Sequence, residues 1–351
     1  MADSLAAHLS ARVRGMRSSL LSRADLDSLL DRDPAGMADV LLATPYDKEM
    51  AESLTRYAGI DAVEDAATRN LINSFARLRS LGRGQLLGAL TDTFLARWDL
   101  MAVKSLLRNR HRELDAETGA ASLKPGPSMP PALQKDLATQ PTMEALVQGL
   151  VAWNARLCRC LAAALPDYLK DRDLRVLEEA LDRAYFPGNV LKLSGATDPD
   201  SRFLKGILRL EIDRINLRML FALREGGANP EDAIQRLLPC GGLSAATLRA
   251  IATAQSPERA VEALERTPYA ELAEGLAVLG KTGRFAKFDR QMEHIFLKRL
   301  SLSANLGPIG VAVLMRFAWL KYNEATNIRM MARGQSIKLA RARIEEELVY
   351  A

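Results

Sequence analysis

Apolar residues recur at spacings of three and four along almost the whole chain, the pattern of helices that each bury one face. Leu5, Leu9, Val13, Met16, Leu20 and Leu21 set this pattern over residues 5–31. It returns over 60–80, 84–112, 141–164, 170–185 and 202–225, and it fills most of the remainder. Alternating runs rich in Val, Ile and Thr are scarce, so little strand is expected. The expected fold class is all-α. Asp33-Pro34-Ala35-Gly36, Leu81-Gly82-Arg83-Gly84, Gly226-Gly227 and Pro239–Gly242 punctuate the helices. Thr44-Pro45-Tyr46, Ser244 and Ser256-Pro257 read as helix starts. Glu113–Ala132, Phe186–Asp200 and Leu302–Gly310 read as irregular.

One helical pattern occurs three times. An acid (Asp99, Asp213, Glu324) is followed five residues later by a base (Lys104, Arg218, Arg329). Apolar residues stand four places after the acid (Val103, Leu217, Ile328) and seven places after it (Leu106, Leu220, Met331). The acids lie 114 and 111 residues apart. Upstream acids (Glu64, Glu178, Asp289) and bases (Arg69, Arg183, His294) recur at matching offsets. Thr44-Pro45-Tyr46 also returns as Thr267-Pro268-Tyr269, while the middle copy has Ala152-Trp153-Asn154 near that place. Repeats at a fixed period point to a repeated structural unit. The chain divides on this basis into units at 1–120, 121–230 and 231–351.

At roughly 100° per residue, the positions four and seven after the acid fall within roughly 40° of it, so the carboxylate shares the apolar face. An unpaired buried charge is costly. The base five residues on lies on another side of the helix. The upstream bases are better placed, each 30 residues before its acid on the adjacent expected helix. The expectation is a helix-to-helix ion pair in each unit: Arg69 with Asp99, Arg183 with Asp213, His294 with Glu324. The alternative is an acid at the wet edge of the stripe.

Composition adds limits. Hydrophobic residues make up 48% of the 351-residue chain, enough for a sizeable core. The net charge of +5 permits contact with an anionic surface without requiring it. Aromatics are only 5%, too sparse for a base-stacking platform, and no nucleic-acid motif is present. Cys158, Cys160 and Cys240 are too few for a disulfide framework and fit a reducing compartment. No secretory signal and no membrane-spanning run is read.

Candidate chemistry is thin. Gly275–Thr282 matches the phosphate-loop expression, but an Ala/Glu-rich helical stretch precedes it where a strand is needed. We read it as an apolar helix ending at Gly280. His8, His111 and His294 form no zinc spacing. Cys158 and Cys160 fall on different helix faces, and no nucleophile elbow occurs. No catalytic, cofactor or metal residue is assigned.

The ordered motifs nonetheless resemble a known family. They are Arg12-Val13-Arg14-Gly15-Met16, Ala43-Thr44-Pro45-Tyr46, Trp98-Asp99 through Leu107-Arg108, Glu211 through Arg218, and Asn327 through Gly334. The chain resembles the C subunits of V-type/A-type ATPases (ATP synthases), relatives of the d subunit of the eukaryotic V-ATPase. Ala102 departs from the pattern, where Asn216 and Asn327 keep an Asn, and the connector at 124–132 looks expanded. The resemblance implies three pseudo-threefold-related helical lobes forming a funnel with a central cavity. It implies a non-catalytic central-stalk rotor component, peripheral on the cytoplasmic side of the membrane. Its partners would be the proteolipid ring and the central-stalk shaft, and its role the coupling of proton or sodium transport to ATP synthesis or hydrolysis. Loop ends near Arg110, Arg224 and Gln335 are candidate ring-facing positions, with ordinary solvated helix ends as the alternative. A helical scaffold for other cytoplasmic partners is the alternative, though known helical repeats of that kind are shorter, about 34 to 47 residues.

Overall fold

The computed structural model describes residues 11–81, 86–115, 119, 123, 126–225, 227, 229–272, 275–276, 285–306 and 310–349. These residues are mainly helical, with no strand among them. Leu5, His8 and Leu9, the break expected at 82–84 and most of the Gly275–Thr282 stretch lie outside them, as does the side chain of Arg224.

A 3-10 turn at Arg17–Ser19 leads to α1, Arg23–Leu30. The single helix expected over 5–31 is therefore interrupted. Leu20 is extended, and Ser22 starts α1 with a reciprocal capping box to Asp25. Helices α2 (Pro34–Leu42) and α3 (Asp47–Leu54) follow. Asp33 caps α2, with Pro34 in its first turn. The long pair α4 (Gly59–Leu81) and α5 (Leu86–His111) stands close to where the periodicity places it.

After the connector come α6 (Pro131–Ala138), α7 (Met143–Trp153) and α8 (Ala155–Asp171). The helix expected over 141–164 breaks at Asn154, which leaves helical geometry and whose side chain accepts from the Leu157 amide. Helix α9 (Leu174–Lys192) runs through Phe186-Pro187-Gly188, where an irregular stretch is expected. Phe186, Pro187 and Val190 are buried there, and their packing outweighs the lost backbone bond at proline. Then come α10 (Pro199–Glu225), α11 (Pro230–Arg236), α12 (Ala245–Thr253) and α13 (Pro257–Glu262). Ser244 and Ser256 cap α12 and α13 as expected. Helices α14 (Ala286–Leu306), α15 (Val311–Ser336) and α16 (Arg341–Glu345) complete the series. Helix α14 takes in residues 302–306, expected as loop.

Contacts divide the chain into two compact units, residues 1–91 with 286–351, and residues 92–285. In the first, α15 is the central element. Val313, Leu314, Phe317, Trp319, Ile328 and Met331 are buried along it, together with the polar Lys321, Asn323, Glu324 and Asn327. It packs chiefly on α4 and also on α14, α1 and α2. Trp319 stacks on Phe296 of α14 at 4.6 Å between ring centroids, and its indole N–H donates to Glu293 at 2.5 Å. In the second unit α8 packs between α7 and α9, α9 packs on α10, and α10 on α11 and α12. Trp98 of α5 meets Phe94 edge-on at 5.2 Å. Arg97 of α5 and Glu211 of α10 form a buried ion pair, and Arg214 shares Glu211 at 2.9 Å.

The repeats exchange contacts. Asp99 of the first binds residue 128 of the second, and Asp213 of the second binds residues 242 and 243 of the third. Glu324 of the third is bonded from Leu21 and Tyr46 of the first. Boundaries at 120 and 230 follow the period of the sequence, whereas the contacts follow this exchange.

Trp319→Ala is expected to lower unfolding free energy by about 3–5 kcal/mol. Leu191→Ala, at a side chain 61% exposed, should change it by less than about 0.5 kcal/mol. Urea denaturation of both variants checks this; equal losses would contradict the assigned core.

Candidate functional site

The repeated acids are buried: Asp99 and Asp213 are 1% exposed and Glu324 is 6%. Carboxylates taken this far from water need donors. The Asp99 carboxylate accepts from the Ser128 amide at 2.7 Å and the Ser128 hydroxyl at 2.5 Å. Asp213 accepts from the amides of Gly242 at 2.8 Å and Leu243 at 3.0 Å, and from the Tyr269 hydroxyl at 2.6 Å. Glu324 accepts from the Leu21 amide at 2.5 Å, the Tyr46 hydroxyl at 2.7 Å and Lys321 Nζ at 2.7 Å. In every copy the acid holds a non-helical backbone amide together with a hydroxyl. At Gly242 an added Cβ would stand 2.6 Å from the Asp213 carboxylate, so glycine is what lets the backbone approach.

A second repeated contact accompanies the acid. Three residues on, Asn216 donates to the Leu238 carbonyl at 2.9 Å and accepts from its amide at 2.8 Å. Asn327 makes the same two-way bridge to Val349, at 2.8 and 3.2 Å. Copy one has Ala102 there, and a Cβ added at Gly126 would stand 3.0 Å from its methyl.

The bases five residues after the acids reach outward to neighbouring residues of the next copy. Lys104 pairs with Asp182 of α9 at 2.6 Å. Arg218 lies over the Phe285 ring at 4.4 Å. Arg329 lies 3.8 Å from Glu64 of α4. The positions nine after the acid add Arg108 to Glu178 at 2.6 Å and Arg333 to the same Glu64. Two of the repeated upstream acids, Glu64 and Glu178, are thus each bound by the helix of the preceding copy.

The residues named from the sequence for helix-to-helix pairs make the following contacts. Arg69 pairs with Asp65 at 2.6 Å and Glu52 at 3.5 Å, while Asp99 is held by Ser128. Arg183 is exposed and donates to the Arg236 carbonyl, while Asp213 is held by the loop and Tyr269. His294 is exposed on α14, while Glu324 is served by Leu21, Tyr46 and Lys321. Arg183 and His294 lie at the surface, whereas the acids point inward. The repeated Thr-Pro-Tyr signals the two tyrosines, but spacing alone does not reveal the role of their hydroxyls. Ser128 and Lys321 carry no signal in the sequence.

Burial shifts the titration of these groups. It raises Asp213 above the ordinary carboxylate range, against the lowering influence of its amide and Tyr269 donors. It raises Tyr46 well above the phenol range, reinforced by Glu324. It lowers Lys321, while Glu324 pulls that amine back up. Burial also pushes the Cys158 thiol up to about 12, so this thiol is chemically quiet.

The third site differs in connectivity. Acid and amide are 29 residues apart in the first two sites but 303 apart in the third. Closing the longer loop costs about 2 kcal/mol more entropy. The third site also gains a charged tie, with Lys321 donating to Glu324 and to the Ser19 carbonyl.

This arrangement fixes turns to helices. Among the described residues no three His, Cys, Asp or Glu converge as metal ligands, and no helix is long and apolar enough to cross a membrane. The class defined is an all-helical repeat protein built on buried carboxylate joints. The chain matches the ATP synthase (C/AC39) subunit family over residues 9–347 and belongs to it. It is 27% identical to the C subunit of the A-type ATP synthase of Methanosarcina barkeri, covering 96% of this chain and 91% of the relative. It is 26% identical to the protein of that name from Haloquadratum walsbyi, covering 97% of each. With that of Methanococcoides burtonii it shares 25%, over 98% of this chain and 94% of the relative.

Asp213→Ala leaves two amides and a hydroxyl without their acceptor and should cost at least about 3 kcal/mol, against about 1–2 kcal/mol for Tyr269→Phe. Chemical denaturation ranks the two; equal costs would remove the carboxylate from its central role. A raised folded-state value means the folded chain holds the Asp213 proton more tightly than the unfolded chain. Its stabilising contribution is therefore greatest at acid pH and declines as pH rises from the ordinary carboxylate range through the raised value. The stability difference between wild type and Asp213→Asn should shrink across that interval, and a constant or growing difference would reverse the sign.

Proposed function

We propose that the chain is a non-catalytic central-stalk component of a rotary V/A-type ATP synthase or ATPase. It caps the proteolipid ring of the membrane sector and seats the central shaft. The family match over residues 9–347 carries this reading. The relatives named as C subunits of A-type ATP synthases support it over nearly their full lengths.

The physical requirement of such a part is stiffness between two interfaces. Close-packed helices resist shear, because a core at crystal-like density has few soft displacements. Charges that tie one repeat to the next, such as Lys104 to Asp182 and Arg333 to Glu64, add directional restraint. A pseudo-threefold set of lobes around a central cavity suits a part that meets a ring on one side and a shaft on the other. The position is peripheral, on the cytoplasmic face of the membrane complex. Proton or sodium flow would be coupled through it to ATP synthesis or hydrolysis. Chemistry at ATP belongs on this reading to other members of the complex.

The test is copurification and coupling. The chain should copurify with the proteolipid ring and with the shaft. Its deletion should leave ATP hydrolysis by the head while abolishing ATP-driven ion transport. Release from both ring and shaft in mild detergent, or transport preserved in the deletion, would defeat the proposal.

A further inference from the structure

The third carboxylate site joins segments far apart in the chain, and its chemistry is asymmetric. Residues 17–31 lie along α15 and are tied to it or to α16 at both ends. At one end the Leu21 amide donates to Glu324 at 2.5 Å, and Lys321 donates to the Ser19 carbonyl at 3.3 Å. At the other, Gln335 donates to the Leu30 carbonyl, and Arg341 of α16 pairs with Asp31. Three of these four ties use backbone atoms of the 17–31 segment. Recognition there resides mainly in the side chains of α15.

Lys321 is the distinctive member. It is fully buried, 2.7 Å from Glu324 and 4.2 Å from the centre of the Tyr46 ring. The equivalent positions, three residues before the acid in the other copies, are Ala96 and Leu210. The third joint, which no short loop closes, thus has a buried lysine where the other two have apolar residues. Between the two tied ends, Leu26, Leu29 and Leu30 bury against the core that includes Ile328 and Met331. No side chain of the Arg17–Ser19 turn is buried, so the turn itself is held by its polar ties, between the buried Val13 before it and Leu21 after it.

We propose that residues 17–31 form a strap that closes on α15 after the rest of its unit and can lift from it as one piece, with Lys321 and Glu324 as its catch. At the first two joints a 29-residue connection keeps amide and acid near one another and favours reclosure by about 2 kcal/mol over the third. Tyr46 lies outside the strap and keeps its bond to Glu324 when the strap lifts, so the acid retains a partner in the open state. If the chain seats a shaft, as proposed above, a lifting strap would give the N-terminal segment a role in assembly with that partner. The strap itself stands or falls independently of that role.

Hydrogen exchange read by mass spectrometry on the full chain tests it. Peptides covering 17–31 should exchange together through a common opening, at least about tenfold faster than peptides of α4 and of the 241–243 loop. Lys321→Met should speed that opening at least about fivefold and leave exchange at 126–130 and 241–243 unchanged. Gln335→Ala, at the opposite end of the strap and away from the buried charges, should speed it severalfold and serves if the first variant does not fold. Exchange of 17–31 at the rate of α4 in wild type would overturn the proposal. So would equal acceleration of all peptides in the variants.

Discussion

A carboxylate placed on the apolar face of a helix must be given donors, and much of this structure follows from how that demand is met. Asp99, Asp213 and Glu324 each lie under a backbone turn and take an amide from it. The turn is thereby pinned to the helix at one defined height, because a carboxylate accepts in few directions and the amide cannot slide. Apolar packing alone would hold the same segments together with less definition of register. Burial raises Asp213 above the ordinary carboxylate range, and two amides and a phenol offset that cost in part.

The acid organises one side of the helix and the bases the other. Lys104 and Arg108 reach α9, and Arg329 and Arg333 reach α4. A single long helix thus holds a loop through one face and the next repeat through another. The pattern passes from copy one to copy two and from copy three back to copy one. On the proposed function, such mutual tying suits a part that transmits force without deforming. The first copy shows that the device tolerates substitution: Ser128 supplies both amide and hydroxyl to Asp99, whereas a tyrosine supplies the hydroxyl to the other two acids.

Much of the helical layout is legible in the sequence, since it rests on a period of local residues. Helices α4, α5 and α10 stand within a few residues of their apolar patterns, and Ser244 and Ser256 cap as their chemistry suggests. Departures arise where tertiary contact overrides local preference. Residues 5–31 do not run as one helix, because Leu20 turns extended where the Leu21 amide meets Glu324. Residues 186–188 stay helical, because buried neighbours compensate for proline. Within their units Arg183 and His294 take other positions than beside the repeated acids, because spacing gives proximity along a chain but not the rotation of one helix against another.

By itself the sequence determined the all-α class, the three copies of the acid-bearing helix and the family resemblance that the match over residues 9–347 then established. It determined these because helical period, repeat period and motif order are properties of one dimension. Only the tertiary structure decided what each acid binds, that Glu64 and Glu178 take the bases of the preceding copy, and that copy three closes on copy one. Those outcomes depend on which faces meet in space. A buried carboxylate accepts from whichever donor the packing brings within reach, here an amide 303 residues away along the chain.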